Sequence, residues 1–133
     1  MEDFEHLVRE VFAKEFSKDG AEVNVTQSSR DEEVDAIAFD PDPIRGGKFV
    51  IQAKRYNNIV PISAVRDLYS TMWNEGATKG ILVTTSYFGK DSKNFVKDKP
   101  LTLIDGQNLI YMMKKYEYAN VLIELKNKNN KVT

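Results

Sequence analysis

Apolar residues recur at helical spacing near the start of the chain: Phe4, Leu7, Val8, Val11, Phe12 and Phe16. One apolar face results, and the spacing predicts a helix from Asp3 to Ser17. Lys18-Asp19-Gly20 ends it, with Gly20 as the expected C-terminal cap. The period then drops to that of a strand. AEVNVTQ (Ala21–Gln27), VDAIAFD (Val34–Asp40) and KFVIQAKRY (Lys48–Tyr56) read as three strands. SSRDEE separates the first two as a polar turn. Pro41–Gly47, with two prolines and two glycines, is a loop short enough to make the second and third strands an antiparallel hairpin.

Beyond Tyr56 the pattern alternates. Pro61 and Ser63 start a helix whose apolar face is Val65, Leu68, Tyr69 and Met72, running out to Trp73, and Gly76 closes it. GILVTT (Gly80–Thr85) is continuously apolar, as in a central strand covered on both faces. A short helix over Asp91–Lys97 is broken by Pro100. Leu101–Asp105 reads as a strand and Gly106–Tyr116 as a helix. Ala119–Leu125 fits either element, and the polar end KNKNNKVT is expected to be disordered. The expected fold is therefore α/β: a mixed sheet of about five strands, first an antiparallel meander and then parallel crossovers, flanked by helices. One domain is expected over residues 1–118, with a C-terminal extension over 119–133 that could lead to a further domain.

The chain has 133 residues, enough for one domain with a sizeable core. It has no cysteine, which excludes disulfides, thiolate metal sites and cysteine nucleophiles. Its single histidine, His6, excludes a zinc site built on histidines, disfavours a histidine triad and reads as a surface residue. Any catalysis must come from carboxylates, amides, lysines, hydroxyls and an oxygen-bound metal, for which Mg²⁺ is suited. The net charge of −1 gives no global sign of nucleic-acid binding, so any such surface must be local. No apolar run is long enough to span a membrane and the start lacks a signal-peptide pattern, so a cytoplasmic location is expected.

The candidate chemistry lies at one end of the hairpin. Gln52 and Lys54 are two apart on a strand and so share a face. Asp35 begins the strand before it, beside the end of its antiparallel neighbour. Register, or a bulge near Glu33-Val34, decides whether the faces coincide. A carboxylate from Asp35, the side-chain oxygen of Gln52 and the backbone carbonyl of Ala53 would make an oxygen ligand set for Mg²⁺. Lys54 could orient a water and offset charge on an attacked phosphate, and Glu5 could add an acid from the first helix. A phosphodiester suits such a site. Spacing alone favours the plainer reading of an edge-strand lysine, a satisfied polar glutamine and a turn-adjacent aspartate.

The segments FEHLV, SSRDEEVDAIAF, FVIQAKRY and GILVTTSYF, in that order, resemble the Mrr-type restriction endonuclease family of the PD-(D/E)xK nuclease superfamily. The resemblance covers roughly Phe4 to Leu109. It implies a restriction-endonuclease-like sheet flanked by helices and Mg²⁺-dependent DNA cleavage, with Mn²⁺ as a substitute metal. It maps the catalytic aspartate to Asp35, the Glu-or-Gln position to Gln52, the lysine to Lys54 and the first-helix acid to Glu5. Two departures bear on it. Gln52 stands where the superfamily more often has Glu, which removes one charge from the ligand set. DEEVD stands where the family often has glycines, so Glu32 and Glu33 add negative charge that either strengthens metal attraction or repels DNA.

Arg30 and Arg55 flank the site and are the expected phosphate contacts. Ser86, with Thr84 and Thr85, ends a strand where hydroxyls either bind phosphate or cap the next helix. Lys90, Lys93 and Lys97 either track a DNA backbone or form a solvated face. Tyr69 and Trp73 are expected in the core or at a dimer contact. Three functions stay open: a restriction-type endonuclease with modified DNA among its targets, a Holliday-junction or repair nuclease, and a DNA-binding module with a decayed site. DNA is the expected partner, with a homodimer forming on it because one site cuts one strand.

Overall fold

The computed structural model describes residues 2–17, 22–25 and 34–116, the side chains of 2, 3 and 22–25 excepted. Helix α1 (Glu2–Ser17) opens the chain. Strands β1 (Glu22–Val25), β2 (Ala36–Asp40) and β3 (Gly47–Lys54) follow, then α2 (Ile62–Asn74), β4 (Lys79–Thr84), α3 (Lys90–Val96) and β5 (Leu101–Ile104). Residues 106–116 form a last helix, α4. The expected ends of the first strand at Ala21 and Gln27, Gly20, Arg30, Glu32, Glu33 and the extension 119–133 lie outside the described residues.

Among the described residues the sheet has five strands in chain order, antiparallel from β1 to β3 and parallel from β3 to β5. Strand alternation splits the core into two layers. Ala36, Ala38, Phe49, Ile51, Ile81 and Val83 face α1 and α4, meeting Phe4, Val8, Phe12 and Leu109. Val50 and Leu82 face the other way, onto Ala64, Val65, Leu68 and Met72 of α2. Helices α2 and α3 thus cross over the same face, as sequential parallel strands of one hand require.

Local signals account for the joints. Gly76, in the left-handed region at φ 64°, ends α2. Its N–H donates to Trp73 O and that of Ala77 to Met72 O, the paired bonds of a Schellman stop. Trp73 is 66% exposed and does not join the core. It lies about 100° around the helix from Met72, past the edge of the buried stripe.

The register departs from simple pairing at the start of β2. Ala36 lies opposite Ile51, yet the Asp35 N–H also donates to Ile51 O at 2.9 Å. Two residues thus oppose one, the geometry of a β-bulge. The bulge sits one or two positions beyond the Glu33-Val34 point anticipated from sequence, and Asp35 precedes the strand rather than lying in it. Val34 packs towards α2 and Ala36 towards α1, so the kink leaves Asp35 between the two layers.

Candidate active site

The bulge aims Asp35 at the end of β3. Its carboxylate accepts the Ala53 N–H at 2.6 Å, a link from the start of β2 to the residue between Gln52 and Lys54. Asp35 is only 4% exposed. Burial pushes its carboxyl up, to about 6, against the lowering effect of the Ala53 bond. The Glu5 carboxylate pushes it up further, while the charges of Arg9 and Lys54 act to lower it. Helix α1 therefore brings Glu5 and Arg9 to bear on Asp35, and β3 brings Lys54. Residues Phe4, Glu5, Ala53, Arg55 and Asn57 line a recess of about 390 Å³ here.

Gln52 is 1% exposed. Alternation places it with Lys54 on the side of Val50, away from Ala53. Lys54 is half-buried and Arg55 exposed. Of the sequence candidates, Glu5, Ala53 and Arg55 line the recess; Asp35 joins them through its bond to the Ala53 N–H and Lys54 through its charge on Asp35, while Gln52 is buried on the other face of β3. Arg30 lies outside the described residues. Lys90 begins α3, on the α2 side of the sheet.

The hydroxyls at the end of β4 serve the scaffold. Thr85 Oγ1 donates to Tyr56 O at 3.1 Å, and Ser86 Oγ donates to Asn58 O. Thr84 Oγ1 accepts the Ser86 N–H at 3.2 Å. These bonds tie the end of β4 to the chain leaving β3. A second, larger cleft of about 910 Å³ lies beside them, between α1 and α4, and shares Phe4, Arg55 and Asn57 with the recess.

Arg9 did not emerge from the sequence. It stands one turn from Glu5, a spacing that on an amphipathic helix also fits a solvent-facing ion pair. In the structure its Nε is buried with no hydrogen-bond partner among the described residues. His6 is the surface residue expected, paired with Glu10 at 3.0 Å.

The donors fit a hard divalent cation. Among the described residues no three His, Asp or Glu side chains are placed to hold a metal. Asp35 and Glu5 supply two carboxylates, and the Ala53 carbonyl and the Gln52 amide could add neutral oxygens. So few protein ligands, all oxygen, suit an ion that keeps several waters. A buried carboxylate raised to about 6 is itself a group that a bound cation would relieve.

Residues 1–113 match the Mrr catalytic family, described as restriction endonuclease. Over 67 residues, half of this chain and 22% of the relative, it is 30% identical to the type IV methyl-directed restriction enzyme EcoKMrr of Escherichia coli strain K12. The DNA modification-dependent restriction endonuclease AspBHI shares the fold at a TM-score of 0.61 and 22% identity, over 87% of this chain and 35% of that one. The MspJI restriction endonuclease, solved with a 27-mer oligonucleotide, shares it at 0.53 and 21% identity, over 82% and 26%. A repair endonuclease from Pyrococcus abyssi does so at 0.50 and 20%, over 76% and 46%. The chain thus spans less than half the length of each of these proteins.

Proposed function

Because the chain belongs to the Mrr-type restriction endonuclease family, we propose that it is a Mg²⁺-dependent endonuclease domain hydrolysing phosphodiester bonds of DNA in a restriction system. The observation that carries the reading is the Asp35 carboxylate, buried and held on the Ala53 N–H beside Lys54. Family membership alone would be compatible with a decayed site. A buried acid raised towards neutrality beside a lysine is costly to keep without a use.

Asp35, the Ala53 carbonyl, Glu5 and the Gln52 amide would hold the ion. Bound there, Mg²⁺, or Mn²⁺ in its place, would offset charge on the attacked phosphate and supply Lewis acidity. The Lys54 ammonium orients the attacking water and stabilises the charge that develops on the phosphate oxygens. Arg55, exposed at the mouth of the recess, contacts the phosphate next along the strand. Burial of Gln52 fixes the strand end, so that Lys54 and the Ala53 carbonyl keep their places.

One such site cuts one strand, so double-strand cleavage takes two copies, assembled on the duplex. The similarity to enzymes named as methyl-directed and modification-dependent supports modified DNA as the target. This chain corresponds to a minor part of those proteins, so target choice would come with a further domain. A plasmid cleavage assay tests the whole reading, with and without Mg²⁺, on methylated and unmethylated DNA. Mg²⁺-dependent cutting that is lost in Lys54→Ala is expected. Wild-type rates in that variant would sink the mechanism. A strong preference for four-way junctions over linear duplex would replace the restriction role with a repair role.

A further inference from the structure

The cleft between α1 and α4 is larger than the recess at Glu5 and Ala53. It opens at the carboxyl ends of β3, β4 and β5, where parallel sheets commonly take their ligands. Its volume of about 910 Å³ falls within the range of pockets that hold small organic groups. Phe4, Arg55 and Asn57 line both this cleft and the recess at Ala53 and Glu5, so the two are continuous.

The lining has a particular chemistry. Tyr87 offers a ring with 56% of its surface exposed, whereas the neighbouring Tyr56 packs its ring against the α2-side core. Asn57 and Gln107, both exposed, offer carboxamides that donate and accept at once. Rings that stack and amides that read a donor–acceptor edge are the usual means of holding an unpaired base. Asp105, the acid of the lining, accepts the Asn108 N–H at 2.8 Å as the cap of α4, so its charge is turned towards the helix. Arg55 stands on the side towards the catalytic recess, where a phosphate would lie.

The cleft is also built rigidly. The Gly106 N–H donates to Ser86 O at 2.9 Å. A Cβ on Gly106 would lie 2.5 Å from Thr85 O, so only glycine lets α4 begin this close to the end of β4. With the Thr85 and Ser86 bonds to the chain after β3, the walls come from segments already tied together.

We propose that this cleft is a nucleobase subsite, taking an unstacked base of the strand that passes through the Asp35–Lys54 centre. The proposal rests on the nuclease reading for the path of that strand, but is tested without cleavage. An apolar protein segment would leave the two carboxamides without partners, which disfavours it as the occupant.

The test is fluorescence anisotropy of a labelled single-stranded decanucleotide in EDTA, where no cutting occurs. The double variant Tyr87→Ala, Gln107→Ala changes two exposed side chains, and its thermal midpoint should match wild type. It is expected to bind at least tenfold more weakly. Arg45→Ala, in the hairpin loop at the far end of the sheet, should bind as wild type. Unchanged affinity in the double variant overturns the proposal. So does wild-type binding no tighter to the base-bearing oligomer than to one of the same length made wholly of abasic sites. Because cleavage is not read, the two readings fail separately. Tight base-dependent binding without Mg²⁺-dependent cutting sinks the nuclease reading, and cutting with an indifferent cleft sinks the subsite.

Discussion

The β2–β3 hairpin carries an aspartate near each end, and the fold treats them in opposite ways. At the closed end, Asp42 is exposed and accepts the N–H groups of Ile44 and Arg45, at 2.8 and 3.2 Å. Those bonds hold its carboxyl below the ordinary carboxylate value. At the open end, Asp35 accepts one backbone N–H and is buried, and its carboxyl rises to about 6. One residue type thus closes a turn in water and, at the other end of the same two strands, waits in a poorly solvated corner beside Glu5. The difference is bulk solvent and the number of N–H donors, and it separates a structural acid from the one proposed to hold the metal.

Asp35→Asn should break this contrast most strongly. It keeps an acceptor for the Ala53 N–H but removes the charge. Plasmid cleavage should fall at least ~100-fold, on the scale of losing one group that stabilises transition-state charge. The metal-free protein should nevertheless become more stable at pH 7, by up to about 3 kcal/mol for a carboxyl raised by roughly two units. Urea denaturation in EDTA measures it. A variant that cuts normally would remove Asp35 from the catalytic centre, and one less stable than wild type would contradict its raised carboxyl.

The pH dependence follows from the same shift. The native state holds a proton on Asp35 that the unfolded chain has already released between pH 3.8 and about 6. Its contribution to stability is therefore fully present below that window and lost as pH rises through it. The stability gap between Asp35→Asn and wild type should open across that interval and level off above it. Asp42 has the opposite sign: its contribution is present at neutral pH and is lost as pH falls below the ordinary carboxylate range.

Smaller effects sharpen the contrast. Arg9→Met removes a cation that lowers Asp35, so the Asp35 carboxyl should titrate higher, by about one unit or less, in NMR of the metal-free protein. An unchanged value would mean that Arg9 does not act on Asp35. Asp42→Ala should have the least effect, lowering Tm by no more than a few degrees and leaving cleavage untouched. Loss of cleavage in Asp42→Ala would contradict the division between the two ends.

Much of the fold was legible because the apolar period is unambiguous where both faces are buried. The α1 stripe, the continuous run of β4 and Gly76 at the end of α2 all stand as read. The grouping of Asp35 with Lys54 was legible too, since a hairpin must bring those ends together. A bulge near Glu33-Val34 was legible as an option but its place was not, because a one-residue slip is decided by how Val34 and Ala36 divide between the two cores, and the local sequence permits several registers. Arg9 hid in the polar face of α1, where a guanidinium bound for solvent and one turned to the sheet look alike. Of the two places expected for Trp73, the core or a dimer contact, the core is excluded by its angle around the helix, which points it outward. The cleft could not be read at all, since its lining comes from α1, α4 and the segments after β3, β4 and β5.

Helices α1 and α4 are fastened to each other just beyond the Met113 edge of that cleft. Tyr116 Oη donates to Glu15, and Lys115 lies 3.5 Å from the same carboxylate. Burial and that carboxylate push the phenol up to about 12, so the bond persists at every physiological pH. The cleft runs from Phe4 and Gln107 back to Met113, one turn short of that bond. Phe4, Val8 and Phe12 meanwhile seat α1 on the sheet, and Leu109 seats α4. Both walls are thus fixed to the sheet and to each other, so a ligand meets a mouth whose width is set before it arrives.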